Sequence, residues 1–141
     1  MNRKATFWVF INLMFFASNI MILSCGKITS QDDIIGIWEG RHLGLEIIFK
    51  FNPDGTCNIN VKDNTSNAIQ ILDGNFMMDF SKQPILLSIR NIPQLNHPLH
   101  TIVEFLGTDS IRLGNFAPHW RVRDISFDQN KSIILKNNKL N

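Results

Sequence analysis

The sequence has only two cysteines among its 141 residues. Small secreted domains that are held together by disulfides carry larger, even sets, so Cys25 and Cys57 exclude a disulfide framework. Cys57 lies between Thr56 and Asn58 in a segment of alternating polarity. This position predicts a small buried thiol rather than a reactive one.

An excess of charge is also missing once the N-terminal segment is set aside. The chain has 14 Lys+Arg and 12 Asp+Glu. Arg3 and Lys4 are the only charged residues before position 25, so residues 25–141 carry equal numbers of basic and acidic side chains. A balanced chain of this kind does not predict a nucleic-acid surface.

Motifs that would indicate catalysis are absent from the sequence. It has no nucleophile elbow, no glycine-rich phosphate loop and no paired catalytic carboxylates. The expectation is a protein that is not an enzyme and needs no cofactor.

Four histidines raise the question of a metal site: His42, His97, His100 and His119. No Cys or carboxylate accompanies them at a recognised ligand spacing, and Pro98 extends the chain between the two closest. They are predicted to be water-exposed loop residues, with no metal bound. His100 and Glu104 are predicted to share one face of a strand.

No window after residue 33 shows a helical period, whereas alternation typical of strands recurs throughout. The clearest case is 45–51, where a Pro53-Asp54-Gly55 turn leads into a second alternating segment at 57–61. Asp73-Gly74 is interpreted as another turn. Further strands are predicted at 76–80, 85–89, 101–105, 111–113, 125–127 and 133–135. Short, evenly spaced strands favour an antiparallel barrel or sandwich.

The N-terminus resembles a bacterial lipoprotein signal peptide. An apolar run at 7–23 ends in Ile22-Leu23-Ser24-Cys25, which resembles the lipobox, whose cysteine is diacylated and becomes the mature N-terminus. The alternative is an uncleaved anchor, because the run is intermediate in length between a secretory segment and a membrane span. The predicted division is a signal peptide at 1–24, a lipidated N-terminus and tether at 25–32, and one domain at 33–141. The implied location is the bacterial cell envelope, at the outer membrane, on its periplasmic or surface face.

Gly36-Ile37-Trp38 followed by the Phe51 to Thr56 hairpin resembles the small lipocalin-like (calycin-type) domains of bacterial lipoproteins. The resemblance implies an all-β, small antiparallel up-and-down barrel of about eight strands. Gly36, Trp38, Asp54 and Gly55 carry the motif. The family also implies that a basic residue near the last strand, Arg121 or Arg123, packs over Trp38.

Two functions are compatible with such a barrel. The first is binding of a small apolar ligand or an envelope component, at a mouth formed by loops 91–98 and 115–121. Phe116, His119 and Trp120, with Met78 beside an apolar pocket, are the candidate binding residues. The alternative is a filled barrel that contacts a partner protein through its rim loops, as an accessory subunit or an enzyme inhibitor. Ligand pockets usually exceed about 300 Å3, so the size of the cavity separates the two.

Overall fold

Alternating apolar and polar side chains build eight strands in the computed structural model, which describes residues 30–138. Each strand turns alternate side chains inwards, so one face forms the core and the other faces water. The strands are β1 (Gly36–His42), β2 (Leu45–Phe51), β3 (Thr56–Asp63), β4 (Ile69–Asp79), β5 (Ile85–Arg90), β6 (Leu99–Phe105), β7 (Ser110–Leu113) and β8 (Ile133–Asn137). Two short 3-10 helices, Gln31–Ile34 and Trp120–Val122, complete the fold.

Every strand pairs antiparallel with the next one, and β8 pairs with β1 to close the barrel. Closure gives every strand a hydrogen-bonded neighbour on both sides. The predicted small up-and-down barrel of about eight strands is therefore confirmed. Among residues 30–138, no helix is long and apolar enough to cross a membrane.

The predicted hairpin between β2 and β3 is present. Gly55 has a φ of +84°, a conformation that glycine adopts without steric cost. Asp54 Oδ1 accepts hydrogen bonds from Thr56 Oγ1 at 2.6 Å and from Thr56 N at 2.9 Å. These bonds, the side-chain one first, lower the pKa of Asp54. The turn residues thus hold each other in the conformation that the Pro-Asp-Gly run predicts.

Two local predictions are wrong. Asp73 and Gly74 lie inside β4 and form no turn. Glycine occurs there because a Cβ would lie only 2.9 Å from the carbonyl oxygen of Arg90. Residues 125–127 form no strand; Ile125 is 84% exposed, so the short alternation has no core to face.

One end of the barrel, where β1 begins, is closed by side chains. Ile34, in the first 3-10 helix, is fully buried, and its carbonyl oxygen accepts a 2.6 Å hydrogen bond from the indole nitrogen of Trp38. Phe51 stacks on Phe49 at 5.7 Å and meets Phe76 edge-on at 4.9 Å. We call this the closed end; the turns β2–β3, β4–β5 and β6–β7 also lie here.

Part of the predicted tether is folded against the closed end. Residues 31–34 form the 3-10 helix, in which the Asp33 carboxylate accepts a 2.9 Å hydrogen bond from the backbone nitrogen of Ser30. This helix therefore spans the predicted boundary between the tether and the domain. Cys25 and the signal segment lie outside the described residues.

Candidate functional site

The opposite end of the barrel, which we call the open end, holds an apolar pocket of about 180 Å3. It lies where β2, β6 and β8 begin and β3 ends. Only hydrophobic side chains line it, from five strands and one connection: Leu45, Ile47, Phe49, Ile59, Val61, Leu72, Leu99, Phe116 and Ile133. An engineered apolar cavity of about 150 Å3 stays dry and takes up benzene. The pocket is therefore smaller than the roughly 300 Å3 expected of a site that holds a whole ligand, but it has room for a short hydrocarbon group.

Phe116 covers one side of this pocket, as its predicted place at the mouth requires. Its ring stacks on Phe49 at 5.9 Å, with 12° between the ring planes. The backbone beside it is fixed, because Ala117 and His100 exchange two hydrogen bonds of 2.9 Å. Gly114 N also donates to the carbonyl of Ile102 at 2.9 Å. Phe116 is thus held over the pocket by backbone pairing to β6.

Beyond Ala117 the chain leaves the mouth and crosses the outer surface of the barrel. We call residues 118–125 the strap. His119 and Trp120 are exposed, and Trp120 retains 60% of its accessible surface. The structure therefore separates these two candidate residues from Phe116: they lie outside the barrel and do not line the apolar pocket.

The expected contact of Arg121 or Arg123 with Trp38 is not formed. Trp38 is buried inside the barrel at the closed end. Arg121 instead lies with its guanidinium carbon 5.2 Å from the ring centre of Trp120. Arg123 lines a groove on the outer surface. Neither arginine therefore packs over Trp38. Gly36, the first residue of the motif, has a φ of +137°.

His100 departs from the prediction of an exposed loop histidine. It lies on β6 and is only 5% exposed, and its Nδ1 shares a 2.8 Å hydrogen bond with Ser88 Oγ. Burial lowers its pKa, and the positive charges of Arg90, Arg123 and then His119 add to this shift. A neutral imidazole therefore joins β5 and β6 below the strap.

Glu104 shares the outer face of β6 with His100, as predicted, but takes another partner. Its Oε2 lies 3.2 Å from Arg112 Nη1 on β7. The serine–histidine pair thus gains no carboxylate from this strand. In the part of the chain that the structure describes, no three His, Cys, Asp or Glu side chains come together as metal ligands do.

Met78 and Cys57 both belong to the filled half of the barrel. Met78 is 8% exposed and pairs across the sheet with Leu87, away from the open-end pocket. Cys57 is buried, as predicted. Burial, and secondarily the charge of Asp73, raises its pKa to about 12. The thiol therefore stays protonated near neutral pH and is a poor nucleophile.

A second hollow, of about 340 Å3, lies at the open end in the predicted 91–98 loop. Arg90, Asn91, Asn96 and His97 give it a polar lining, while Ile92, Leu95 and Pro98 supply apolar walls. We call it the rim groove. The 91–98 loop and residues 115–117 flank the same end of the barrel, but residues 118–121, which were also predicted to form the mouth, lie on the outer surface.

Several lining residues of the apolar pocket were not singled out from the sequence, notably Leu45, Val61, Leu99 and Ile133. The sequence shows that these residues face inwards, but core residues alternate in the same way, so alternation does not distinguish a pocket from a packed core. Comparison with protein-family models, with curated proteins and with solved structures found no match.

Proposed function

We propose that this chain is a membrane-anchored, non-catalytic lipoprotein whose lipocalin-like barrel binds the apolar end of a small hydrophobic ligand. The observation that carries the proposal is the 180 Å3 pocket at the open end, lined by nine hydrophobic side chains. An eight-stranded up-and-down barrel is also the architecture of lipocalins, which hold small ligands in this position.

The lining decides what part of a ligand enters. No polar side chain lines the pocket, so it selects by size and hydrophobicity. A polar group in the pocket would lose its hydrogen bonds to water without replacement. A six-carbon alkyl group gains roughly 5 kcal/mol from burial, at about 0.8 kcal/mol per CH2, before the cost of association. The ligand therefore inserts a hydrocarbon end and keeps its polar part outside.

Native mass spectrometry of the full chain, extracted from its own membranes, tests ligand binding. The expected result is a stoichiometric hydrophobic adduct on the wild-type protein. Val61→Phe places a ring in the pocket and should remove the adduct; Lys62→Gln, an exposed neighbour on β3, should retain it. An adduct that survives in Val61→Phe, or no adduct on the wild type, contradicts the proposal.

Attachment through a lipid on Cys25 is tested separately. Cys25→Ala removes the acceptor thiol, so the chain should keep its signal segment and migrate at its unprocessed mass. Mass measurement of the mature wild-type protein should show diacylglycerol on residue 25. If wild type and variant remain membrane-bound at the same unprocessed mass, the segment is a plain anchor and the lipoprotein proposal is wrong.

The rim groove favours a second candidate, contact with a partner protein in the envelope. Its 340 Å3 volume exceeds that of the barrel pocket, and its lining combines Arg90 and His97 with apolar walls. Polar groups around an apolar centre are typical of protein contact sites. Crosslinking in intact cells from a photoreactive residue at Asn96 tests it. A specific adduct from position 96, absent from a matched probe at Lys50 on the closed half, supports the partner function.

A further inference from the structure

The strap exposes apolar and basic side chains in alternation. Trp120, Val122 and Ile125 are 60%, 64% and 84% exposed, and Arg121 and Arg123 lie between them. Three of the eight large hydrophobic side chains found exposed among residues 30–138 thus fall within six residues. Single exposed hydrophobic residues need no explanation, but a concentration of them indicates a contact surface.

The basic residues of this surface form no salt bridge in the described chain, although Lys82 and Arg123 are near enough to Asp79 to lower its pKa. No carboxylate oxygen lies within 4.0 Å of Lys82, Arg121 or Arg123, and the buried Nε of Arg123 has no hydrogen-bond acceptor. Buried polar atoms normally have a partner, and an unpaired one is costly. An anion that draws the Arg123 side chain forward would supply it.

Lys82 and Arg123 line the same groove, about 170 Å3 in volume, between the strap and the β4–β5 turn. Pro84, Leu86 and Ile125 form apolar walls. Two acids lie nearby: Asp124 also lines the groove, and Asp79 has its pKa lowered first by hydrogen bonds from Ser81 and then by Lys82 and Arg123. The groove therefore combines cations that form no salt bridge with apolar walls, and this combination suits an oxyanion attached to a hydrocarbon body.

The position of this surface relates it to a membrane. The β4–β5 turn lies at the closed end, where the described chain begins at Ser30. Ser30 lies five positions after Cys25, and a fully extended chain covers at most about 3.6 Å per residue, or roughly 18 Å. A lipid anchor on Cys25 therefore keeps the closed end close to the bilayer surface.

We infer that the strap, with Lys82, is a contact surface for the phosphate head groups of anionic lipids in the membrane that carries the anchor. Arg121, Arg123 and Lys82 pair with phosphate oxygens. Trp120, Val122 and Ile125 lie at the level of the head groups, where tryptophan is favoured. This inference depends on the proposed membrane attachment and is independent of ligand binding.

Hydrogen exchange of the full chain in lipid nanodiscs tests the contact. One set of discs contains phosphatidylcholine alone, and the other also contains phosphatidylglycerol. The expected result is several-fold slower exchange across residues 119–126 in the anionic discs only, and loss of this protection at high salt, which screens exposed charges. Equal exchange in the two membranes overturns the inference.

Matched variants localise the effect. Arg121→Gln/Arg123→Gln should abolish the lipid-dependent protection, whereas Arg41→Gln/Lys62→Gln removes the same charge near the open end and should preserve it. Protection that survives in the strap variant, or that is lost equally in the control, overturns the inference. Failure of the attachment proposal is seen separately, because the chain then elutes apart from the discs. Val61→Phe reports on ligand binding alone and should leave strap exchange unchanged.

Discussion

The two ends of this barrel are built from the same eight strands, yet one is packed and the other is hollow. At the closed end a 3-10 helix places Ile34 under the barrel, and Trp38, Phe51 and Phe76 fill the space above it. At the open end Phe116 covers one side only, and about 180 Å3 remains unfilled. The two ends differ because a helix outside the strands packs Ile34 into the closed end, whereas only Phe116 of a connection covers the open end.

This asymmetry separates stability from function. Well-packed side chains contribute most of the free energy of folding, and voids forfeit it. The closed end can therefore hold the barrel together while the open end remains incompletely packed and able to accept a ligand. This interpretation is wrong if side chains at the open end contribute as much to the free energy of unfolding as those at the closed end.

The largest expected effect comes from two phenylalanines that stack on the same ring. Phe51 and Phe116 lie 5.7 Å and 5.9 Å from Phe49, each at 12°. Phe51→Ala should lower the free energy of unfolding by about 3–5 kcal/mol, because the residue is fully buried. Phe116→Ala should cost less than about 2 kcal/mol, since its ring is partly exposed. Urea unfolding of the detergent-solubilised full chain measures both.

Equal losses at the two positions would show that the open end is as much a part of the folding core as the closed end. A changed slope of unfolding free energy against urea would instead indicate an altered denatured or native state, so the comparison requires equal slopes.

A smaller effect is expected from enlarging two inward side chains of β3. Cys57 lies in the filled half and Val61 lines the open-end pocket. Cys57→Leu should lower the free energy of unfolding by about 1–3 kcal/mol through overpacking. Val61→Leu extends into empty space and should leave stability unchanged or raise it by up to about 0.8 kcal/mol. The same urea titration measures the pair; a comparable loss in Val61→Leu would mean that the pocket has no spare volume.

Local signals predicted the parts of the fold that local contacts determine. Alternation predicted at least part of each strand from β2 to β8, although only the second half of β4, and the Asp54-Gly55 turn formed because Thr56 donates hydrogen bonds to Asp54. The turn predicted at Asp73-Gly74 is absent. Glycine is needed at position 74 because the carbonyl oxygen of Arg90, distant in sequence, lies too close for a side chain.

The candidate site was only partly visible in the sequence for the same reason. Phe116 was found because two large aromatics in an irregular segment indicate a contact. The pocket beside Val61 is unfilled because the connections at the open end place only one side chain, Phe116, over it. Alternation within the strands carries no information about the packing of the connections. The burial of His100 likewise depends on the strap crossing the outer face of β6, from a segment without periodicity.

The smallest expected effect concerns pH and the attachment of the strap. His100 has a lowered pKa in the folded chain, so the unfolded or detached state binds a proton more readily. The stabilising contribution is complete above the ordinary histidine pKa of 6.5 and is lost as the pH falls below it. The charged groups facing His100 are Arg90, Arg123 and His119, and all are basic, so protonation adds repulsion to the cost of burial. The strap side of β6 should therefore loosen in mild acid.

Hydrogen exchange at Ala117, corrected for the intrinsic effect of pH, measures this loosening, because its amide donates to the His100 carbonyl at 2.9 Å. Protection should be lower at mildly acidic pH than at neutral pH by a few-fold, with the closed-end amide of Phe76 unaffected. His100→Gln should remove the difference, while His119→Gln should keep most of it. If acid loosens Phe76 as much as Ala117, the response is global unfolding and His100 does not act on the strap. A response confined to Ala117 would place the pH-sensitive contact at the open end, beside the ring of Phe116 that covers the pocket.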